Sequence, residues 1–123
     1  MKNQTILLIE DNLDILENTT ELLEMEGYRV LAAPNGEKGM ELALQNQPDL
    51  IISDILVPRI DGYELLKILK KEPSTANIPF MFLSASAQRE DIEKGKMAGA
   101  DAYLVKPLPA DDLKKAISHL IGS

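Results

Sequence analysis

Four stretches of this chain are short and almost wholly apolar, and each stops at a polar group. Leu7-Leu8-Ile9 runs into Glu10 and Asp11, Leu50-Ile51-Ile52-Ser53 into Asp54, Phe80-Met81-Phe82-Leu83 into Ser84, and Ala102-Tyr103-Leu104-Val105 into Lys106. None alternates with polar residues as a strand with one wet face does, so each reads as a strand buried on both faces. The second run is bounded by Pro48 before and Pro58 after, which fixes its length. A further run, Tyr28 to Ala33, reads as a strand that closes on no ionisable group.

Helical patterns lie between the runs. Asn12 or Asp14 can cap a helix with Ile15, Leu22 and Leu23 on its apolar side and Met25 near its end, stopped by Gly27. Asn35 caps a second helix carrying Met40, Ala43 and Leu44, which Gln47-Pro48 ends. A loop with Pro58 and the turn formers Asp61-Gly62 leads to a third helix, Tyr63 to Lys71, whose two final lysines suit the negative end of the helix dipole. After Pro73 to Pro79 and the next strand comes a loop of small residues, Ser84 to Gln88. A fourth helix is expected from about Asp91 to Ala98. Gly95 interrupts it at a cost of about 1 kcal/mol against alanine, which makes it a candidate moving part. Pro109 opens a last helix with Leu113, Ala116, Ile117, Leu120 and Ile121 on one side.

Strand then helix, five times over, predicts an α/β fold: a doubly wound parallel sheet with right-handed crossovers placing helices on both faces. Parallel strands bring their C-terminal ends to one edge of the sheet, where ligands bind in such folds. Glu10, Asp11, Asp54, Ser84 and Lys106 are therefore expected to converge.

Length and charge narrow the picture. The 123 residues suffice for one such domain, spanning 1–123, and leave no room for a second globular unit or an output domain. Thirteen Lys and Arg against twenty Asp and Glu give 13 − 20 = −7, which disfavours direct nucleic-acid binding or an anionic membrane surface. There is no cysteine, and no signal-peptide core or run approaching the roughly 20 apolar residues of a membrane span, so a cytoplasmic protein is expected. His119 complements the dipole at the end of the last helix rather than transferring a proton, and the scattered methionines read as core filling.

Three carboxylates brought together repel one another, and a divalent cation resolves the conflict. An all-oxygen donor set selects a hard ion such as Mg²⁺. Because Glu10 and Asp11 are adjacent, both reach one ion only if one acts through water or the backbone bends there. Lys106 is placed as a point charge for a phosphoryl oxygen, and the Ser84 hydroxyl as a donor to another. This is equipment for phosphoryl transfer, in which positioning and charge neutralisation supply most of the catalysis. Asp54, at the end of the central run, is the best nucleophile.

These residues resemble the receiver domain of two-component response regulators over essentially the whole chain. The matching pieces are Leu8-Ile9-Glu10-Asp11-Asn12, Asp49 to Asp54 followed by Pro58 and Asp61-Gly62, Leu83-Ser84-Ala85, Gly99-Ala100-Asp101-Ala102-Tyr103 and Lys106-Pro107. The resemblance implies a flavodoxin-like sheet of five parallel strands in the order 2-1-3-4-5, with five helices. It implies that Asp54 accepts a phosphoryl group from a histidine kinase or phosphotransfer protein. Glu10, Asp11, Asp54 and the Leu56 carbonyl would hold Mg²⁺, and Lys106 and Ser84 would contact the phosphoryl group. Ser84 and Tyr103 would be the switch residues, with Ala85 and Ala87 leaving room for the Tyr103 ring to turn inward. Pro107 would be structural, following a bond commonly cis in the family. The face built from the fourth helix, fifth strand and fifth helix would change, engage a downstream protein or output domain, and serve a homodimer. Such a domain is no enzyme beyond its own phosphotransfer and dephosphorylation.

The chain departs from the family at Val57, where methionine is common, and at Leu56 and Ser86. In the family the latter two positions tune how readily water attacks the phosphoryl group. An alternative function is a receiver-like interaction module that kept the fold and lost the chemistry. A flavin carrier is disfavoured because Glu10, Asp11 and Asp14 would repel its phosphate, and a phosphatase because Leu56 stands where a second acid or base is needed.

Overall fold

Strand and helix alternate through the molecule as β1 (Thr5–Ile9), α1 (Leu13–Met25), β2 (Arg29–Ala33), α2 (Gly36–Asn46), β3 (Leu50–Ser53), α3 (Gly62–Lys71), β4 (Phe80–Ser84), α4 (Arg89–Met97), β5 (Ala102–Val105) and α5 (Ala110–Ile121). The computed structural model describes residues 4–122, so the ends of the expected 1–123 span, residues 1–3 and 123, lie outside the described residues. The five strands pair in parallel in the order β2-β1-β3-β4-β5. This is the doubly wound, flavodoxin-like sheet that the residue pattern and the resemblance led us to expect.

The period of two along each strand divides the core into two layers. Leu7, Ile9, Ile51, Phe80 and Phe82 face one layer with Leu65, Leu66 and Leu69 of α3. Ile6, Leu8, Leu50, Ile52, Met81 and Leu83 face the other with Leu16 and Leu23 of α1 and Leu113 and Ile117 of α5. Burying each such side chain contributes about 1.5–3 kcal/mol, which is why the strand runs had to be apolar without alternation.

Several boundaries differ from the sequence reading, each for a local reason. The cap of α1 is Asn12, whose Oδ1 accepts the Ile15 N–H at 3.1 Å, and not Asp14. The core stripe of α1 runs through Leu16 and Leu23, leaving Ile15 at the surface edge and Met25 82% exposed. Tyr28 is not in β2, because its N–H donates to the Leu23 carbonyl and closes α1. In α2 the buried positions are Gly36, Gly39 and Ala43, while Leu44 is exposed. Asp61 is more than a turn former, since its Oδ1 accepts the Glu64 N–H at 2.9 Å and caps α3. Helix α4 starts two residues earlier than expected, where Gln88 O accepts from Asp91 and Ile92. Gly95 does not break it. A Cβ there would lie 3.1 Å from Phe82 and 3.2 Å from Tyr103, so the glycine lets the helix sit close on two rings.

Candidate phosphoryl-transfer site

The strand register sets the site. Ile9 stands opposite Ser53 and Ala33, so Glu10 and Asp54 leave neighbouring strands at the same level. Ser84 pairs with Val105 at the ends of β4 and β5, which places Lys106 one step beyond on the same edge. The chain bends at Asp11, immediately after β1. That bend answers the difficulty of two adjacent acids: carboxylate oxygens of Glu10, Asp11 and Asp54 all lie within 4.8 Å of one another.

Lys106 bridges two of the three. Its Nζ donates to Glu10 Oε1 at 2.7 Å and to Asp54 Oδ2 at 3.0 Å. Asp54 Oδ1 accepts the Ile55 N–H at 2.7 Å, so both oxygens of this carboxylate are held. Glu10 is only 5% exposed, and its Oε2 accepts the Asn12 N–H at 3.2 Å. Burial pulls the Lys106 ammonium down, but its hydrogen bonds to Glu10 and Asp54 outweigh that and hold it above the ordinary lysine range. With the folded value raised, this contribution to stability is complete below the unfolded lysine pKa. It is lost only as pH rises through the folded one, so it is constant at neutral pH.

Three carboxylates against one ammonium leave the cluster with net negative charge, which suits a hard divalent cation. Oxygens bound to one Mg²⁺ at about 2.0–2.1 Å lie at most about 4.2 Å apart, so the observed spread closes with small side-chain rotations or a bridging water. The residues fit the ion.

Ser84 ends β4, is 4% exposed, and its Oγ accepts the Ser86 N–H at 3.3 Å. It lines the same cavity of about 320 Å³ as Asp54, Leu56, Asp61, Asp91 and Lys94. Leu56, two residues beyond Asp54, is 79% exposed at this mouth. Tyr103 packs half-buried against the first core layer, its ring centroid 6.1 Å from that of Phe82, and its hydroxyl donates to the Ser86 carbonyl at 2.9 Å. The Lys106–Pro107 peptide is cis. The loop after β3 is braced by Gly36: its N–H donates to the Pro58 carbonyl at 3.2 Å, and Ile60 N–H donates to the same carbonyl across Arg59, whose φ is 75°. His119 is on the last turn of α5, away from this edge.

Two residues at this cavity escaped the sequence reading. Tyr63, on α3, donates from its hydroxyl to the Asp91 carbonyl at 2.9 Å and lies beneath the Lys94 ammonium, 4.4 Å from the ring centroid. Asp91, in the first turn of α4, accepts the Ser86 hydroxyl on Oδ2 at 2.5 Å. An acid in a first helical turn and a tyrosine after a helix start are ordinary in sequence, so no pattern marks them. Burial first, and then the Asp91 carboxylate, push the Tyr63 hydroxyl up from 10.0 to about 12. A hydroxyl raised on folding contributes stability below its unfolded pKa and loses it as pH climbs through the folded one. Urea midpoints of the wild type are therefore expected to fall more steeply than those of Tyr63→Phe between about pH 10 and about pH 12. Parallel curves would remove Tyr63 from the alkaline response.

Residues 6–118 match the family model described as the response regulator receiver domain. The chain is 39% identical over 116 residues to the DNA-binding dual master transcriptional regulator RpaA of Synechocystis, covering 94% of this chain and 48% of that one. It is 34% identical over 117 residues to Protein PilH of Pseudomonas aeruginosa, covering 95% of this chain and 97% of that one. It thus spans about half the length of the first of these relatives and nearly all of the second. The fold superposes with a TM-score of 0.92 and 30% identity, over 99% of this chain and 100% of the other, on a receiver domain from a Pseudomonas aeruginosa sensor histidine kinase solved with a magnesium ion coordinated in its active-site cleft.

Proposed function

Because the chain belongs to the response regulator receiver domain family, whose members are phosphorylatable signalling switches, we propose that Asp54 is its phosphoacceptor and that Lys106 and Ser84 attend the phosphoryl group. The observation that carries this is the Lys106 ammonium bridging Glu10 at 2.7 Å and Asp54 at 3.0 Å, with carboxylate oxygens of Glu10, Asp11 and Asp54 within 4.8 Å of one another. A carboxylate so placed is oriented by the Ile55 N–H and partnered by a cation that offsets the charge of an approaching phosphoryl group.

In the reaction, an Asp54 oxygen forms a bond to phosphorus while the bond from phosphorus to the donor's leaving atom breaks. That atom is a histidine nitrogen in a kinase or phosphotransfer protein. It keeps the electron pair, and the chain keeps an acyl phosphate. Mg²⁺, held by Glu10, Asp11, Asp54 and the Leu56 carbonyl, would supply further charge neutralisation for the phosphoryl oxygens. Lys106 pairs with a phosphoryl oxygen, and the Ser84 hydroxyl donates to another. Dephosphorylation is the second reaction of this reading: a water oxygen bonds to phosphorus while the bond from phosphorus to the Asp54 oxygen breaks, returning the carboxylate and releasing inorganic phosphate. The domain thus acts as a phosphoacceptor and not as an enzyme on external substrates.

The partners in this reading are a histidine kinase or phosphotransfer protein upstream and a downstream protein or output domain, in the cytoplasm. Contact with the latter, or with a second copy, is assigned to the α4–β5–α5 face, where Tyr103 leads. The domain boundary at 1–123 belongs to the same proposal. Incubation with Mg²⁺ and a small acyl phosphate should add one phosphoryl group, and peptide mapping should find it on Asp54. Unlabelled protein would favour the interaction-module alternative.

Leu56 offers a second measurement. As an apolar side chain at the cavity mouth it cannot orient water, whereas an asparagine can. Leu56→Asn is expected to shorten the acyl-phosphate lifetime of the isolated domain. An unchanged dephosphorylation rate would show that Leu56 does not govern it.

A further inference from the structure

The loop from β4 to α4 is tied to its surroundings by hydrogen bonds in series. Tyr103 of β5 donates to the Ser86 carbonyl at 2.9 Å, Ser86 Oγ donates to Asp91 Oδ2 at 2.5 Å, and Tyr63 of α3 donates to the Asp91 carbonyl at 2.9 Å. Ser86 also leads back to the site, since its N–H donates to Ser84 Oγ at 3.3 Å. The N-cap of α4, Gln88, makes no side-chain cap bond, and its own N–H donates to Ser86 Oγ at 3.3 Å. One hydroxyl therefore organises the start of α4, and one carboxylate fixes that hydroxyl. The Ser86 proton is committed to Asp91, which sets the loop's orientation and hence the direction of the carbonyl that receives Tyr103. The seat for the Tyr103 ring is prepared by Phe82 and by Gly95, where a Cβ would lie 3.2 Å from that ring.

We propose that Asp91 is a positioning residue for the switch: through Ser86 it holds the β4–α4 loop in the form that accepts the Tyr103 hydroxyl, before any phosphoryl group arrives. The assignment rests on the reading of Asp54 as phosphoacceptor only for its consequence, namely how readily the phosphorylated form is reached. A charge-assisted bond to a hydroxyl is among the stronger hydrogen bonds, so the bias on the loop is substantial. Tyr63 extends the same hold to α3, anchoring the backbone of Asp91 while Ser86 holds its side chain.

The first test needs no phosphorylation. Ring resonances of Tyr103, assigned by comparison with Tyr103→Phe, are followed by NMR in wild type, Asp91→Ala, Asp91→Asn and Ser86→Ala. Asp91→Ala should shift and broaden them. Ser86→Ala, which also loses the acceptor of the Gln88 N–H, should do so at least as much. The double variant should add nothing to Ser86→Ala, because the bond between the two side chains is already gone. Asp91→Asn, which keeps an acceptor oxygen, should restore most of the wild-type spectrum. The second test is the rate of Mg²⁺-dependent labelling by a small acyl phosphate, expected to fall about 5-fold or more in the two alanine variants, the lower end of common coupling between sites. A helix-start acid with no such role would lower only the melting temperature, leaving the Tyr103 spectrum and the labelling rate at wild-type values, and that result overturns the proposal. So does an additive double variant. Absence of labelling in the wild type would instead count against the phosphoacceptor reading, while the NMR comparison still decides the role of Asp91.

Discussion

Asp54→Ala is expected to reduce Mg²⁺-dependent labelling by a small acyl phosphate to below about one-thousandth of wild type, since removing an attacking group costs at least that much in comparable systems. The structure makes this a demanding test, because Asp54 is not the only carboxylate at the cavity. Asp61 and Asp91 line it as well. What separates Asp54 is its company: Lys106 on one oxygen, the Ile55 N–H on the other, and Glu10 and Asp11 close enough to share a cation. Asp61 Oδ1 is spent on the Glu64 N–H as the α3 cap, and Asp91 Oδ2 on Ser86. Substantial residual labelling on either would mean that charge neutralisation at this edge is less selective than the geometry argues. The variant should stay folded, because Lys106 retains Glu10 at 2.7 Å. A normal thermal melt alongside the lost label distinguishes a missing nucleophile from a missing fold.

Gly36→Ala is expected to be the most damaging small substitution, at about 3 kcal/mol or more, the top of the range for overpacking. A Cβ at this position would stand 1.9 Å from the Ile60 carbonyl oxygen and 2.8 Å from its carbon. Both are backbone atoms and cannot rotate away. The turn that puts them there is itself tight, with Ile60 N–H donating to Pro58 O across Arg59 at φ 75°, a strained three-residue turn. Relief requires α2 and the loop after β3 to separate, breaking the Gly36 N–H to Pro58 O bond of 3.2 Å. Since that loop carries Leu56, Mg²⁺ binding by the remaining folded protein should weaken too. Gly27→Ala is the control, because its φ of 95° disfavours a side chain but nothing lies within 4 Å of the added carbon. Denaturant midpoints of the two variants separate steric clash from backbone strain, and equal losses would refute the clash argument.

Much of this molecule was legible in the residue order, and the reason is that its three central strands, β1, β3 and β4, are buried almost along their whole length. The edge strands β2 and β5 are only partly covered, so the expectation that Ala102 to Val105 is buried on both faces does not hold. Runs such as Leu50 to Ile52 and Phe80 to Leu83 must be apolar throughout, so they stand out, and strand–helix alternation then leaves few topologies. Helix edges were read less well. At α1, Asn12 and Asp14 are equally good caps by residue type, and only the chain's path after Asp11 selects Asn12 and rotates the core stripe onto Leu16. The five-residue cluster at the sheet edge was legible because parallel strands oblige their ends to meet. How its members bond was not. The bridge made by Lys106 depends on residues 96 and 52 positions away arriving at the same level, which register alone decides.

By itself, then, the order of residues determined the five strands, their parallel sense and the identity of the acids, serine and lysine that share an edge, because hydrophobic period and helical crossovers act locally and admit few outcomes. Tertiary structure alone decided what the glycines and the unmarked polar groups do. Gly36 and Gly95 look like a helix start and a helix flaw until Ile60, Phe82 and Tyr103 are seen against them. Asp91 and Tyr63 look like ordinary helix-start residues until Tyr63 is seen donating to the Asp91 carbonyl and Ser86 to its carboxylate. Contacts of that kind are set by distances between segments far apart in the chain, and no local pattern encodes them.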